Sequence, residues 1–138
     1  MQETISHGEH IIEDMADAVV YANRTGTIER WNRACVALFG FGKEEALGRN
    51  LDLIIPERLR EAHWRGFEAA LSSGATRLHG RATLTRAVHK DGRKLYVEMS
   101  FAVVRDETGA ACGSVAVARD VTARVEAEKD ARNRGGET

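Results

Sequence analysis

Leu95, Val97, Met99, Phe101 and Val103 fall at every second position between two turn signals, Lys90-Asp91-Gly92 and Asp106 to Ala110. A period of two puts these side chains on one side of an extended strand. Each would forgo roughly 2 kcal/mol if left in water, so this face demands a cover. The chain must build a sheet with one buried side.

Neighbouring stretches supply the partner strands. Ala18 to Asn23 is rich in β-formers, stops at Asn23-Arg24-Thr25-Gly26, and returns as Thr27 to Arg30, which reads as a hairpin. Thr76 to His89 reads as the strand before the Lys90-Asp91-Gly92 turn, and Gly113 to Arg119 as the last strand, with Val115 and Val117 on one face. Between hairpin and meander the spacing turns helical. Trp31 to Phe39 ends at Gly40, Lys43 to Leu47 closes at Gly48, and the apolar run Leu51 to Ile55 leads to Pro56. Flanking helices are predicted over Ile5 to Ala16 and over Thr122 to Arg132, the second capped by Asp120 or Thr122. This order predicts an α+β fold, a five-stranded antiparallel sheet with helices over one face and a helix at each end.

Pro56 to Gly74 is the strongest helix signal. Proline suits a first turn and Gly74 suits a helix end. Leu59, His63, Phe67, Ala70 and Leu71 follow the spacing of one face, so an imidazole looks inward among apolar groups. Two readings stand at this point: a core histidine bonded to a backbone carbonyl, or a ligand for a metal or for haem iron. Trp64 points about 100° away around the helix and is expected to pack against neighbouring structure.

With 138 residues, 43% of them hydrophobic and 30% charged, the chain reads as one globular domain. A net charge of −1 lacks the basic excess that binding to nucleic acid or an anionic membrane needs. No apolar run reaches the length of a membrane span and no signal pattern opens the chain, so a cytoplasmic setting is expected. Cys35 and Cys112 are the only cysteines, read as small core residues. Without a CxxCH, any haem is held without thioether links. His7, His10, His79 and His89 join no acid, base or nucleophile arrangement, so no enzymatic activity is expected.

Five local words in this order resemble the PAS family of sensory domains: Met15-Ala16-Asp17-Ala18, Asn32-Arg33-Ala34, Glu45-Ala46-Leu47-Gly48, Lys90-Asp91-Gly92 and Asp120-Val121-Thr122. The resemblance spans about residues 10 to 125. It implies a ligand enclosed between sheet and long helix, and a signalling helix after the last strand. The boundaries it implies are an N-terminal flanking helix over 1–16, a sensory domain over 17–121, and a signalling helix or linker over 122–138. Flavin photosensors of the family carry a reactive cysteine after G-R-N. Here Gly48-Arg49-Asn50 is followed by Leu51 and Asp52, which argues against that chemistry.

The haem-binding oxygen-sensor subfamily is similar in another stretch. Its P-x-x-x-R-x-x-H spacing appears as Pro56, Arg60 and His63, which implies haem b with His63 as iron ligand. By the same resemblance Met99 and Phe101 fall at hydrophobic distal positions, Thr83 where the subfamily has an oxygen-binding arginine, and Arg81 where some relatives have a distal methionine. With Leu59 and Phe67 from the His63 face, and Val115 and Val117 from the last strand, these complete the expected cofactor-binding set. The implied role is sensing a diatomic gas (O2, CO or NO) or redox state, as a homodimer joined to an output domain of a longer protein. The alternative is a PAS domain that binds another small metabolite or serves as a ligand-free dimerisation module.

Overall fold

The structure, a computed structural model, describes residues 6–75 and 80–135. Five antiparallel strands form one sheet: β1 (Ala18–Asn23), β2 (Ile28–Trp31), β3 (Thr83–Val88), β4 (Lys94–Arg105) and β5 (Ala111–Asp120), in the spatial order β2-β1-β5-β4-β3. Helices α1 (His7–Asp14), α2 (Arg33–Phe39), α3 (Lys43–Ala46), α4 (Arg60–Ser73) and α5 (Thr122–Gly135) accompany it. The expected α+β sheet is what forms, and the two ends of the chain's strand order, β1 and β5, lie side by side in its middle. No helix among the described residues is long and apolar enough to cross a membrane.

Turn chemistry accounts for the two hairpins nearest the helices. Asn23 Oδ1 accepts from the amides of Thr25 and Thr27, and Gly26 follows at φ +81°, a left-handed conformation that suits glycine. At the other hairpin Asp91 Oδ1 accepts from the Arg93 amide and Gly92 takes φ +91°.

Register decides which side of the sheet is covered. Met99 lies opposite Ala118 and Phe101 opposite Ala116, while Ala18 and Val20 face the same two alanines from β1. Cross-strand partners share a face, so these side chains point together. With Leu95, Val97, Ile28, Trp31, Cys35, Phe39 and Ile54 they make one core beneath α2 and the Leu51–Ile54 turn. A second cluster, Phe67, Leu71 and Ala111, joins it through Leu51.

Some boundaries differ from expectation. Trp31 closes β2 rather than opening a helix, because Asn32 takes extended backbone and caps α2 by accepting from the Cys35 amide. Leu51 to Ile54 winds into a 3-10 turn. β3 begins at Thr83, and Thr76 to His79 of the expected strand lie outside the described residues.

Candidate functional site

Pro56 opens a 3-10 turn, Glu57–Leu59, that runs straight into α4, and Gly74 ends the helix at φ +78°. Arg60 clamps this entry: its guanidinium donates to the Ile55 carbonyl at 3.1 Å and to the Asp52 carbonyl at 3.2 Å. The arginine thereby sets where α4 starts relative to the Leu51–Ile54 turn. One turn later comes His63, half-buried, with Phe67 and Leu71 buried further along the same face.

Aromatic contacts surround the imidazole. Its centre lies 4.8 Å from the Trp64 ring, edge to face, and 6.0 Å from Phe67. Trp64 in turn meets Phe67 at 5.1 Å, and its Nε1 donates to Asp52 Oδ1 at 2.8 Å. Burial holds the His63 pKa below its ordinary value, and the Asp52 carboxylate opposes that shift only in part. The ring is therefore neutral at neutral pH. Its Nδ1 is buried and has no hydrogen-bond partner among the described residues.

A neutral imidazole on an apolar helix face has the chemistry of a single nitrogen ligand for a metal or haem iron. The core histidine of the simpler sequence reading would bond a backbone carbonyl, and Nδ1 makes no such bond among the described residues. No three His, Cys, Asp or Glu side chains cluster for a metal ion among the described residues, and haem requires only one such ligand. The residues at His63 fit haem in their chemistry.

The other expected site residues divide. Leu59 is half-buried at the start of α4 and Phe67 is buried beside His63. Met99 and Phe101 point to the helix-covered side of the sheet within the main core. Thr83 pairs with Met99 and so shares its face, although it is exposed at the start of an edge strand. Arg81 precedes β3 and is exposed, and Leu84 on the other face of that strand is 53% exposed.

Val115 and Val117 are a correction. They pair with Tyr21 and Val19 on β1 and with Ala102 and Ser100 on β4, which puts them on the sheet face opposite Met99 and Phe101. Ala116 and Ala118 take the inward positions instead. Small side chains there let the helices approach the middle of the sheet.

Three residues at the site went unassigned in the sequence. Asp52 meets Trp64 across twelve positions, Val103 packs against the Phe67 cluster, and Leu51 links both cores. Val103 was visible in the β4 alternation, whereas the contact of Asp52 has no local signal. A cavity of about 580 Å³ lies elsewhere, between α1, β2 and α3, where Glu9 pairs with Arg30 and Glu13 with Lys43.

A family profile described as the PAS fold matches residues 6–121. The oxygen sensor protein DosP of Escherichia coli K12 is 28% identical over 96 residues, which cover 70% of this chain and 12% of DosP. Sensor protein FixL of Bradyrhizobium diazoefficiens is 23% identical over 96 residues, covering 70% of this chain and 19% of FixL. The chain thus spans less than a fifth of the length of either sensor. The crystal structure of the PAS domain of a Colwellia psychrerythraea protein superimposes with a TM-score of 0.72 at 23% identity, over 82% of this chain and 92% of that one. Sheet order, covering helices and a profile that takes in nearly every element agree, and the chain belongs to the PAS family.

Proposed function

We propose that this PAS domain is the sensory module of a longer signal-transduction protein, and that it holds haem b on His63 to report a diatomic gas (O2, CO or NO) or redox state. The carrying observation is the neutral His63 ring with its unpartnered buried Nδ1. The spacing of Pro56, Arg60 and His63, and similarity to a protein named as an oxygen sensor, support the same reading.

Haem, when bound, supplies an iron that takes up the gas. The chain's own residues do the rest. His63 would hold the iron from α4, Arg60 keeps α4 seated on the Leu51–Ile54 turn, and Phe67, Met99 and Phe101, with half-buried Leu59, would exclude water. Thr83 offers a hydroxyl on the Met99 face. Residues 17–121 form the sensory unit, the segments 1–16 and 122–138 that contain α1 and α5 flank it, and α5 leads toward the output domain.

Reconstitution of the purified chain with haem, followed by absorption spectroscopy, tests this reading. The unaltered chain should develop a Soret band and His63→Ala should not, while both keep the same circular dichroism. Equal haem retention by His63→Ala removes His63 from the ligand role.

A second reading, a ligand-free pairing module, is favoured by one observation. On α1 Ile11 is 55% exposed, and Met15 at its end is 37% exposed. A homodimer through α1 would cover them. Sedimentation of the chain with and without residues 1–16 decides: concentration-dependent dimerisation should require that segment, and a monomer in both cases ends the pairing proposal.

A further inference from the structure

Two anchors orient the Trp64 ring. At one end Nε1 donates to Asp52 Oδ1 at 2.8 Å. At the other the six-membered ring lies so close over Gly26 that a Cβ there would fall 2.1 Å from Cη2 and 2.5 Å from Cζ3. Gly26 is buried and sits at φ +81°, so the turn between β1 and β2 has both the conformation and the bare backbone needed to receive the indole. An aromatic ring held at both ends cannot rotate about its own side-chain bonds without losing a hydrogen bond and a packing surface.

The imidazole beside it lacks such an anchor at Nδ1, which has no hydrogen-bond partner among the described residues. On that side the orientation of His63 comes from contact, edge to face with Trp64 at 78° and tilted against Phe67 at 36°. Histidines that bind metals ordinarily have their ring set by a hydrogen bond from a second layer of residues. Here aromatic packing occupies that place.

We infer that Trp64, fixed by Asp52 and Gly26, is the positioning residue for His63. This rests on the haem reading in one respect only, the consequence for haem affinity. The orientation of the imidazole is a property of the protein by itself. In setting the ring's orientation Asp52 acts through the indole, as an acceptor, and its charge bears separately on the titration of the imidazole.

The test uses the full chain and three substitutions. Asp52 has a side chain 37% exposed, so Asp52→Ala removes the acceptor without opening the core. Asp52→Asn keeps an oxygen that accepts the indole N–H and removes the charge. In the haem-free protein the His63 ring resonances, read by two-dimensional carbon–proton NMR, should move toward those of free histidine in Asp52→Ala and stay in place in Asp52→Asn. Haem affinity should fall about tenfold in Asp52→Ala and in Trp64→Leu, and be retained in Asp52→Asn.

Unmoved His63 resonances in Asp52→Ala overturn the inference. So does an equal displacement in Asp52→Asn, which would assign the effect to charge. If the unaltered chain takes up no haem, the haem reading fails, and the resonance comparison still decides whether Trp64 positions the ring.

Discussion

The Lys129 ammonium lies 2.6 Å from the Tyr96 hydroxyl and 4.6 Å from the centre of the same ring. This pair closes a seam between α5 and β4. The Val121 amide donates to the Tyr96 carbonyl at 2.9 Å, the Tyr96 amide donates to Thr122 Oγ1 at 2.9 Å, and Val121 and Val125 pack on the ring. Both valines are buried within the chain, so neither is open to a second subunit. Leu95 and Val97, on either side of Tyr96, point into the main core. One stretch of β4 therefore touches the core with alternate residues and the terminal helix with those between.

Lys129 holds the Tyr96 phenol below its ordinary pKa of 10.0, chiefly through that hydrogen bond. Tyr21 is pushed up to about 12, first by burial and then by its bond to Cys112. These are the chain's two tyrosines, so phenolate absorbance should rise in two separated steps. Lys129→Ala should move only the lower step upward and hasten amide exchange in α5. An unmoved lower step would show that the contact is not formed in solution.

Asn32 is 1% exposed and ties four segments together. Its Oδ1 accepts from the amides of Val19 and Cys35, and its Nδ2 donates to the carbonyls of Ile12 and Asp17. Asn32→Ala should lower unfolding free energy by about 3 kcal/mol, since it removes all four bonds and leaves buried groups unpaired. Asn32→Asp should not rescue, because a carboxylate would face two carbonyl oxygens. Urea unfolding curves measure both, and a loss below about 1 kcal/mol for alanine would refute the hub.

Acid should weaken the fold through His63. Its folded pKa lies below the ordinary histidine value of 6.5, with burial as the first cause, so the unfolded chain binds that proton more readily. The associated stability is complete above about pH 6.5 and is lost as pH falls through the folded pKa. Urea unfolding at about pH 7.5 and about pH 5 should show a larger acid loss in the unaltered chain than in His63→Leu. An equal loss would place the acid sensitivity on other groups.

Cys35 should be inert while the protein is folded. Its thiol is buried, donates to the Val19 carbonyl at 3.2 Å, and is pushed up to about 12 by desolvation. Alkylation at about pH 8 should leave it unmodified until denaturant is added. Labelling at the same rate in both states would contradict the core it helps define.

Much of this architecture was legible because it depends on short-range rules. The alternation from Leu95 to Val103 announced β4 and its covered face, Asn23 to Gly26 and Lys90 to Gly92 announced their turns, and the stripe through His63, Phe67 and Leu71 announced the buried side of α4. In each case neighbours a few residues apart carry the whole signal. The words Asn32-Arg33-Ala34 and Asp120-Val121-Thr122 also proved local: Asn32 caps α2, and Asp120 turns the chain from β5 into α5 by accepting from the Thr122 amide at 2.9 Å.

What only the tertiary structure decided was pairing between distant segments. Val115-Ala116-Val117-Ala118 is apolar at both parities, so its pattern names no inward face; pairing with β1 and β4 chose the alanines, because register fixes every side chain of a strand at once. The surroundings of His63 were beyond reach for the same reason. Periodicity placed an imidazole on an inner stripe, but Trp64 became its neighbour in a useful geometry only through Asp52 on another turn and Gly26 in another hairpin. Local spacing determines which way a side chain leaves its own helix or strand, and the packing of separate elements determines what it meets.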